Sequence, residues 1–335
     1  MPQRQIAIVT GGAGFIGSHL VDLLISLDFQ VRVIDNFSGG RESNLIEHVS
    51  NSNLEIEELD IRQLQSSSKI FKGVDSVYHL AGIGDIVPSI EQPSEYMDVN
   101  VQGTVRVLES ARTSGCRRFI YASSSSCYGL ASTPTNEVHA ISSMYPYALS
   151  KYLGEQAVFH WDRVYGLQSN SICIFNAYGP RVRTRGVYGA VFGVFLKQKL
   201  MKAPLTIVGD GTQSRDFIYV TDVAKAFYLA SKSHTHRERF NIGAGKPQSI
   251  LSLAELIGGQ LQFIPKRPGE PDVTWANTEK ARKLLGWEPT VPFAEGVSKM
   301  LQEIEEWRDA PLWDDQSIEK ATEKWFHYMR PRNDV

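Results

Sequence analysis

Short apolar runs alternate with helix-length amphipathic segments through the first half of the chain. Residues 6–9, 31–34, 54–59, 74–80, 118–122 and 171–175 are mostly apolar runs of strand length, and 16–27, 96–114 and 147–165 between them have the length of helices. Runs that are apolar nearly throughout, rather than at every second position, belong to strands covered on both faces. Strand and helix in regular succession then predict an α/β chain built on a doubly wound parallel sheet.

The succession breaks after Gly179-Pro180. An arginine- and glycine-rich stretch, RVRTRGVYG at 181–189, leads into a helix-like segment at 190–200, a strand at 205–208 and the turn Gly209-Asp210-Gly211. The segment RDFIYVTDVAKAFYLA (215–230) reads as a strand and helix returning to the main domain, with a last strand at 240–242. From about residue 246 a proline-rich section alternates with short helices, and a tail from about 310, with Trp313 and Trp325 as packing residues, adds a helix or two. Two units are expected: residues 1–180 with about 215–245, and a smaller α/β lobe of about 181–214 with 246–335.

Composition narrows the function. A chain of 335 residues is long enough for one large domain and a second lobe. A formal net charge of −2 leaves no electrostatic footprint for nucleic acid or an anionic membrane. The three cysteines, Cys116, Cys127 and Cys173, are far apart and form no CxxC, which argues against a disulfide framework and a zinc site. No basic leader precedes the first strand and no apolar run reaches the length of a membrane span, so a cytoplasmic chain without a metal is expected. His79 on an apolar strand reads as a satisfied core histidine, and His234 and His236 as part of a solvated loop.

Gly11, Gly14 and Gly17 stand in GGAGFIG, where the first strand turns into the first helix. Gly11 permits the tight turn, Gly14 lets the backbone approach a pyrophosphate, and Gly17 lets the helix pack on the strand. The helix N-terminus offers free N–H groups and the positive end of its dipole to phosphates. The spacing is GxxGxxG rather than GxGxxG, and a plain turn can use the same glycines. The context favours a nucleotide: Asp35 ends the second strand eighteen residues beyond Gly17, where a carboxylate accepts bonds from a ribose hydroxyl pair and repels a 2′-phosphate. NAD rather than NADP is therefore expected on this Rossmann-type unit. Asp60, beside Ile61 at the end of the third strand, is placed either to contact the adenine or to cap a helix.

Tyr147 and Lys151 are four residues apart and project from one face of a helix. A free tyrosine titrates near pH 10, about three units too high for a base at neutral pH. A nearby ammonium and a positively charged nicotinamide ring stabilise phenolate and bring that value down. Tyr147 can then take the proton of a sugar or alcohol hydroxyl while hydride leaves the same carbon. The fifth strand runs into Ser123-Ser124-Ser125-Ser126, which sets hydroxyls at its carboxyl end, where doubly wound sheets bind ligands. One of these serines is placed to bond the reacting oxygen, and others to satisfy the loop's own backbone.

With TGGAGFIGSHL, IDNFSGG, YHLAG, NVQGT, YASSSSCYG, YPYALSK, FNAYGPR, RDFIYVTDV and RPGEPDV…KARKLLGW in this order, the chain resembles the extended short-chain dehydrogenase/reductase family. The resemblance is to its nucleotide-sugar epimerase and dehydratase branch and covers about residues 5–300. It implies that Ser124 is the catalytic hydroxyl, Tyr147 the base, and Lys151 the residue that binds the nicotinamide ribose and tunes the base. It adds Phe15, Ile16, Asn36, Asp60, Ile61, Leu80, Ala81, Gly82 and Asn100 to the NAD-binding set, and sets Ser125 and Ser126 against the substrate. Asn176, Arg215 and Arg267 match positions that hold the substrate's nucleotide diphosphate, work that suits the arginine fork. An ion pair at the surface or between lobes stays open for both arginines. Family members usually dimerise through the helices at about 96–114 and 147–165, so a homodimer is implied.

Family 4,6-dehydratases resemble Thr-Asp-Glu-Val-Tyr-Gly where this chain has Ser124-Ser125-Ser126-Cys127-Tyr128-Gly129, and uronate decarboxylases retain the glutamate. Without those carboxyl groups, elimination lacks a proton donor at the adjacent carbon. The reaction implied is an NAD-dependent nucleotide-sugar 4-epimerisation: oxidation at carbon 4, rotation of the 4-keto sugar, and re-reduction on the other face. The form ASSSS-x-YG is most similar to epimerases acting on UDP-glucuronate and on UDP-N-acetylhexosamines. Arg183 matches an arginine that faces the sugar carboxylate in glucuronate epimerases, although Arg181 and Arg185 flank it and a phosphate or interlobe role fits as well. Thr274 falls at a gate position where a small residue admits a 2-acetamido group, so these two positions disagree about the sugar. Residues 83–89, IGDIVPS, depart from both epimerase types. That departure leaves open an unusual sugar such as a heptose, another nucleotide, or a net 4-dehydrogenase or reductase. A catalytically silent NAD-binding sensor would not need Ser124, Tyr147 and Lys151 together.

Overall fold

The computed structural model describes residues 4–184, 191–265 and 271–329. The first six strands are β1 (Ile6–Thr10), β2 (Gln30–Asp35), β3 (Leu54–Glu58), β4 (Ser76–His79), β5 (Arg118–Ser124) and β6 (Gln168–Ile174). The chain then leaves the sheet for β7 (Asn176–Tyr178), β8 (Leu205–Val208), β9 (Ser214–Arg215) and β10 (Phe217–Tyr219), and returns with β11 (Glu238–Ile242); β12 (Gln248–Ser249) and β13 (Leu261–Ile264) come last. Seven of these form one sheet in the order β11-β6-β5-β4-β1-β2-β3, parallel throughout. The order reverses between β1 and β4, and a ligand crevice opens at the carboxyl ends of strands flanking such a switch point.

The α-helices are α1 (Phe15–Ser26), α2 (Pro88–Glu91), α3 (Pro93–Met97), α4 (Thr104–Thr113), α5 (Pro146–Tyr165), α6 (Val191–Leu200), α7 (Val220–Lys232), α8 (Ile250–Ile257), α9 (Glu279–Leu285), α10 (Phe293–Gln302) and α11 (Asp315–Met329). Among the described residues, no helix is long and apolar enough to cross a membrane. The helix expected over 96–114 is interrupted by a π turn at Asp98–Gly103, which carries Asn100. Such turns are found mostly where a helix serves a site.

One face of the sheet is covered by α1 and α7, and Leu20, Leu24, Val31, Val33, Phe227 and Phe240 are fully buried there. Val107, Leu108, Phe119 and Val158 fill the other face. A third cluster joins β8 to α6, α8 and α10 through Phe195, Leu205, Ile207, Leu253 and Val297. Its aromatic members interlock, with Tyr178 stacked on Phe192 at 4.6 Å and Phe217 on Phe293 at 5.4 Å between ring centroids.

Two features depart from the sequence expectation. Only the helical part of 215–230 returns to the main domain, packing as α7 against α1; β10 pairs with β7 in a separate two-stranded sheet. A three-residue strand carries too little pattern to specify its partner, and the exit of the chain at Asn176 supplies one. Residues expected in the second lobe also pack in the first core: Trp287 is fully buried there with Ala281 and Leu285 of α9. Trp287 donates its indole N–H to the Asp222 carbonyl at 2.8 Å, and the Asp222 carboxylate accepts from the Thr290 and Val291 amides at 2.9 and 3.0 Å.

Candidate active site

The glycine turn is built by close approach. Gly11 has φ +69°, and a Cβ there would lie 2.6 Å from the Ala81 amide nitrogen, so the turn rests on the exit of β4. A Cβ on Gly17 would meet the Gly11 carbonyl at 2.1 Å, which seats the start of α1 on the same turn. Gly14 is the N-cap of α1, and no side chain occupies its cap. Phe15 and Ile16 come next, packed partly against the third cluster, where the two parts of the chain meet.

Asp35 is buried at the end of β2 and accepts from the Ala13 and Phe37 amides, each at 2.9 Å. Burial raises its pKa, and the bonds from the Phe37 and Ala13 N–H groups work against that rise. Asn36 donates to Asp60 at 3.1 Å. Asp60 caps the turn Ile61–Gln63 and pairs with Arg62, which holds its carboxyl below the usual range. Of the two roles open to Asp60 the cap is present, and Ile61 beside it is buried. The turn, the free helix N-terminus and the carboxylate at the end of β2 together fit a dinucleotide.

At the exit of β4, Leu80 and Ala81 are tied to Thr10, the former through its amide to the Thr10 carbonyl and the latter to the Thr10 hydroxyl. Asn100 pins the backbone just beyond them: its Oδ1 accepts from the Ile83 amide at 2.8 Å, and its Nδ2 donates to the Ile83 carbonyl and to Ser150 Oγ of α5. A Cβ on Gly82 would lie 2.8 Å from Asn100 Oδ1 and 3.7 Å from Lys151 Nζ. His79 bonds Thr10 and Thr104, and burial lowers its pKa to about 3, so it is a neutral core residue.

Tyr147 and Lys151 lie in the first turns of α5, and Ser124 ends β5 opposite them. Tyr147 stands close to the buried Ser124, whose hydroxyl works to lower its pKa. Ser125 and Ser126 begin a single 3-10 turn, and the Ser124 Oγ caps it by accepting from the Ser126 amide at 3.2 Å. Lys151 is 7% exposed, and its ammonium stands 4.6 Å from the centroid of the Tyr121 ring. Burial lowers its pKa to about 8. Burial also pushes Tyr147 up, opposed by the bond to Ser124. The lowering of Tyr147 expected from the ammonium does not appear in the protein alone: burial dominates, and Ser124 is the group that works against it.

On the second-lobe side, β7 and β9 bring Asn176, Arg215 and Thr274 together. Thr274 donates to Asn176 Oδ1 at 2.8 Å and accepts from the Asp216 amide at 3.1 Å. Arg215 donates to the Ser214 carbonyl at 2.9 Å. Arg267 and Arg185 lie outside the described residues. Arg181 pairs with Asp22 of α1 at 2.6 Å, an interlobe bond, whereas Arg183 pairs with Asp85 at 3.1 Å. Asp85 belongs to the divergent stretch 83–89, so that stretch reaches the same arginine.

Residues 7–243 match the model of the NAD dependent epimerase/dehydratase family. The chain belongs to this family. A putative UDP-glucose 4-epimerase of Methanocaldococcus jannaschii is 37% identical over 303 residues, covering 88% of this chain and 96% of that protein. Among solved structures, a UDP-glucuronic acid 4-epimerase from Bacillus cereus with UDP-glucuronic acid and NAD superposes with a TM-score of 0.83 at 32% identity, over 90% of this chain and 99% of that one. A UDP-N-acetylglucosamine 4-epimerase from Methanobrevibacter ruminantium gives 0.84 at 30% identity, over 91% and 98%. Family membership fixes NAD as the cofactor.

Three residues that the sequence did not single out individually stand beside the predicted ones. Tyr145 stacks on Tyr147 at 6.5 Å with the rings 10° from parallel, and Tyr96 meets Tyr147 edge-on at 6.4 Å. Asp85 is the third. The tyrosines sit inside YPYALSK and SEYMDVN, and no local pattern separates a site aromatic from a core one. His236 bonds the buried Asp162 at 3.0 Å while its own side chain stays 39% exposed.

Proposed function

We propose that this protein is an NAD-dependent 4-epimerase of UDP-hexoses. The observation that carries the reading is Ser124 and Tyr147 facing each other beside a buried Lys151, with serines rather than carboxylic acids at 125 and 126. Bound in the glycine cradle, NAD supplies the hydride acceptor and donor and a positive charge beside the phenol. Tyr147 takes the proton from the carbon-4 hydroxyl as that carbon is oxidised, and returns it after the 4-keto sugar has turned its other face. Ser124 hydrogen-bonds the reacting oxygen in both directions. Lys151 holds the nicotinamide ribose, and Asn176 with Arg215 and Arg267 holds the diphosphate while the sugar turns. No net oxidant is consumed. Elimination of water would need a further acid, and 125 and 126 offer none.

The Asp85–Arg183 pair favours a sugar without a carboxylate. A uronate would have to compete with Asp85 for the guanidinium, whereas UDP-N-acetylglucosamine or UDP-glucose would not. The small Thr274 agrees with a 2-acetamido sugar. We also assign the cofactor to residues 1–180 with about 215–245, the sugar nucleotide to 181–214 with 246–335, a cytoplasmic location, and a homodimer through α4 and α5. Leu149 and Leu153, one turn apart on α5, are 40% and 38% exposed and suit such a contact.

The test is proton NMR of the anomeric signals during incubation with UDP-N-acetylglucosamine, UDP-glucose, UDP-glucuronate and GDP-sugars, without added cofactor. A second anomeric doublet rising to equilibrium with the first is expected. A 4-keto product stoichiometric with enzyme, and no epimer, would replace the epimerase with a net oxidoreductase.

A further inference from the structure

The helix α11 lies well past Trp287, the last residue of the family motifs, and the superposition on the Bacillus cereus epimerase uses 99% of that chain but only 90% of this one. It is amphipathic: Ile318, Thr322 and Trp325, spaced i, i+4, i+7, are 4%, 3% and 8% exposed. It docks on α2, the short helix that ends the divergent segment, where Lys324 pairs with Glu91 at 3.1 Å.

Its Trp325 ring lies against Tyr145, with centroids 5.2 Å apart and planes tilted by 57°. Tyr145 in turn stacks on Tyr147. Tyr96 also meets the Tyr147 ring, edge-on, and its hydroxyl donates to the Asp85 carbonyl at 2.5 Å. The ring of Tyr147 thus contacts two tyrosines, and one of them, Tyr145, is backed by the tail. Tyr145 precedes Pro146, the first residue of α5, so no helical turn of its own holds it in place.

We infer that α11 is a wall of the active site, and that Trp325, acting through Tyr145, is a positioning residue for Tyr147. A phenol hydroxyl is carried far from its backbone on two rotatable bonds, so a loose ring displaces the reactive oxygen. A misplacement of about 1 Å can cost about 100-fold in rate. Trp325 prevents it by packing its ring against Tyr145, which stacks on the base. The inference rests on Tyr147 being the base of the proposed epimerase.

The experiment compares the full-length protein with W325A, W325F, a chain ending after Trp313, and Y147F. Steady-state kcat and KM, the pH profile of kcat, bound NAD and thermal melting are measured for each. W325A is expected to lose about 10-fold in kcat, with KM changed less than 3-fold, bound NAD retained, and the acid limb of the pH profile moved. W325F restores most of the loss, and the shortened chain loses at least as much as W325A. A folded W325A with the kcat and pH profile of the parent overturns the inference. Should W325A fail to fold, the shortened chain decides by the same criterion. Wild-type turnover in Y147F instead overturns the reading of the site, independently of the tail.

Discussion

Replacing Lys151 by methionine should make the protein more stable and nearly inactive at once. The ammonium is 7% exposed, and burial lowers its pKa from 10.5 to about 8, with the Glu155 carboxylate offsetting only part of that shift. At about 1.4 kcal/mol per unit, the charge costs the cofactor-free fold about 3 kcal/mol at neutral pH. The contact with the Tyr121 ring returns about 1 kcal/mol. Methionine keeps most of the volume and removes the charge, so K151M gains about 1–3 kcal/mol, or about 2–4 °C in melting temperature for a chain of this size. The native state binds fewer protons than the unfolded chain between pH 8 and 10.5, so this cost is fully present below pH 8 and is relieved as pH rises towards 10.5. Urea unfolding of cofactor-stripped protein at intervals from pH 6.5 to 10.5 should show the K151M advantage shrinking to nothing, while kcat at pH 7.5 is down at least about 100-fold. A methionine variant less stable than the parent at pH 7, or one whose advantage is unchanged at pH 10.5, would refute the reasoning.

Gly17→Ala places a Cβ 2.1 Å from the Gly11 carbonyl; it should cost about 1–3 kcal/mol and strip most bound NAD, read by absorbance of the released cofactor. Asp85→Asn frees Arg183 for a sugar carboxylate and should raise kcat/KM for UDP-glucuronate relative to UDP-N-acetylglucosamine by about 10-fold; an unchanged ratio removes Asp85 from specificity. Asp222→Ala orphans the Thr290 and Val291 amides and should destabilise the fold by about 3 kcal/mol, seen as a lower urea midpoint with faster proteolysis beyond residue 287.

The parts legible in the sequence are those that depend on neighbours along the chain. The inner strands β1, β4 and β5 are buried almost throughout because both faces are covered, whereas β3, expected as a buried strand, is LEIEE at the sheet edge and exposed at four of its five positions. The glycine turn, Asp35 at the end of β2, and Tyr147 four residues before Lys151 on α5 are equally local, since backbone geometry alone sets which groups face the crevice. Tertiary structure decided what depends on distant residues meeting. It gave β10 to β7 rather than to the main sheet and drew Trp287 from the expected second lobe into the first core. It brought Asp85 to Arg183, from segments ninety-eight positions apart, as an ion pair. It also set the balance of burial against charge that raises Tyr147 and lowers Lys151. Desolvation sums over every atom packed around a group, and no stretch of sequence contains that sum.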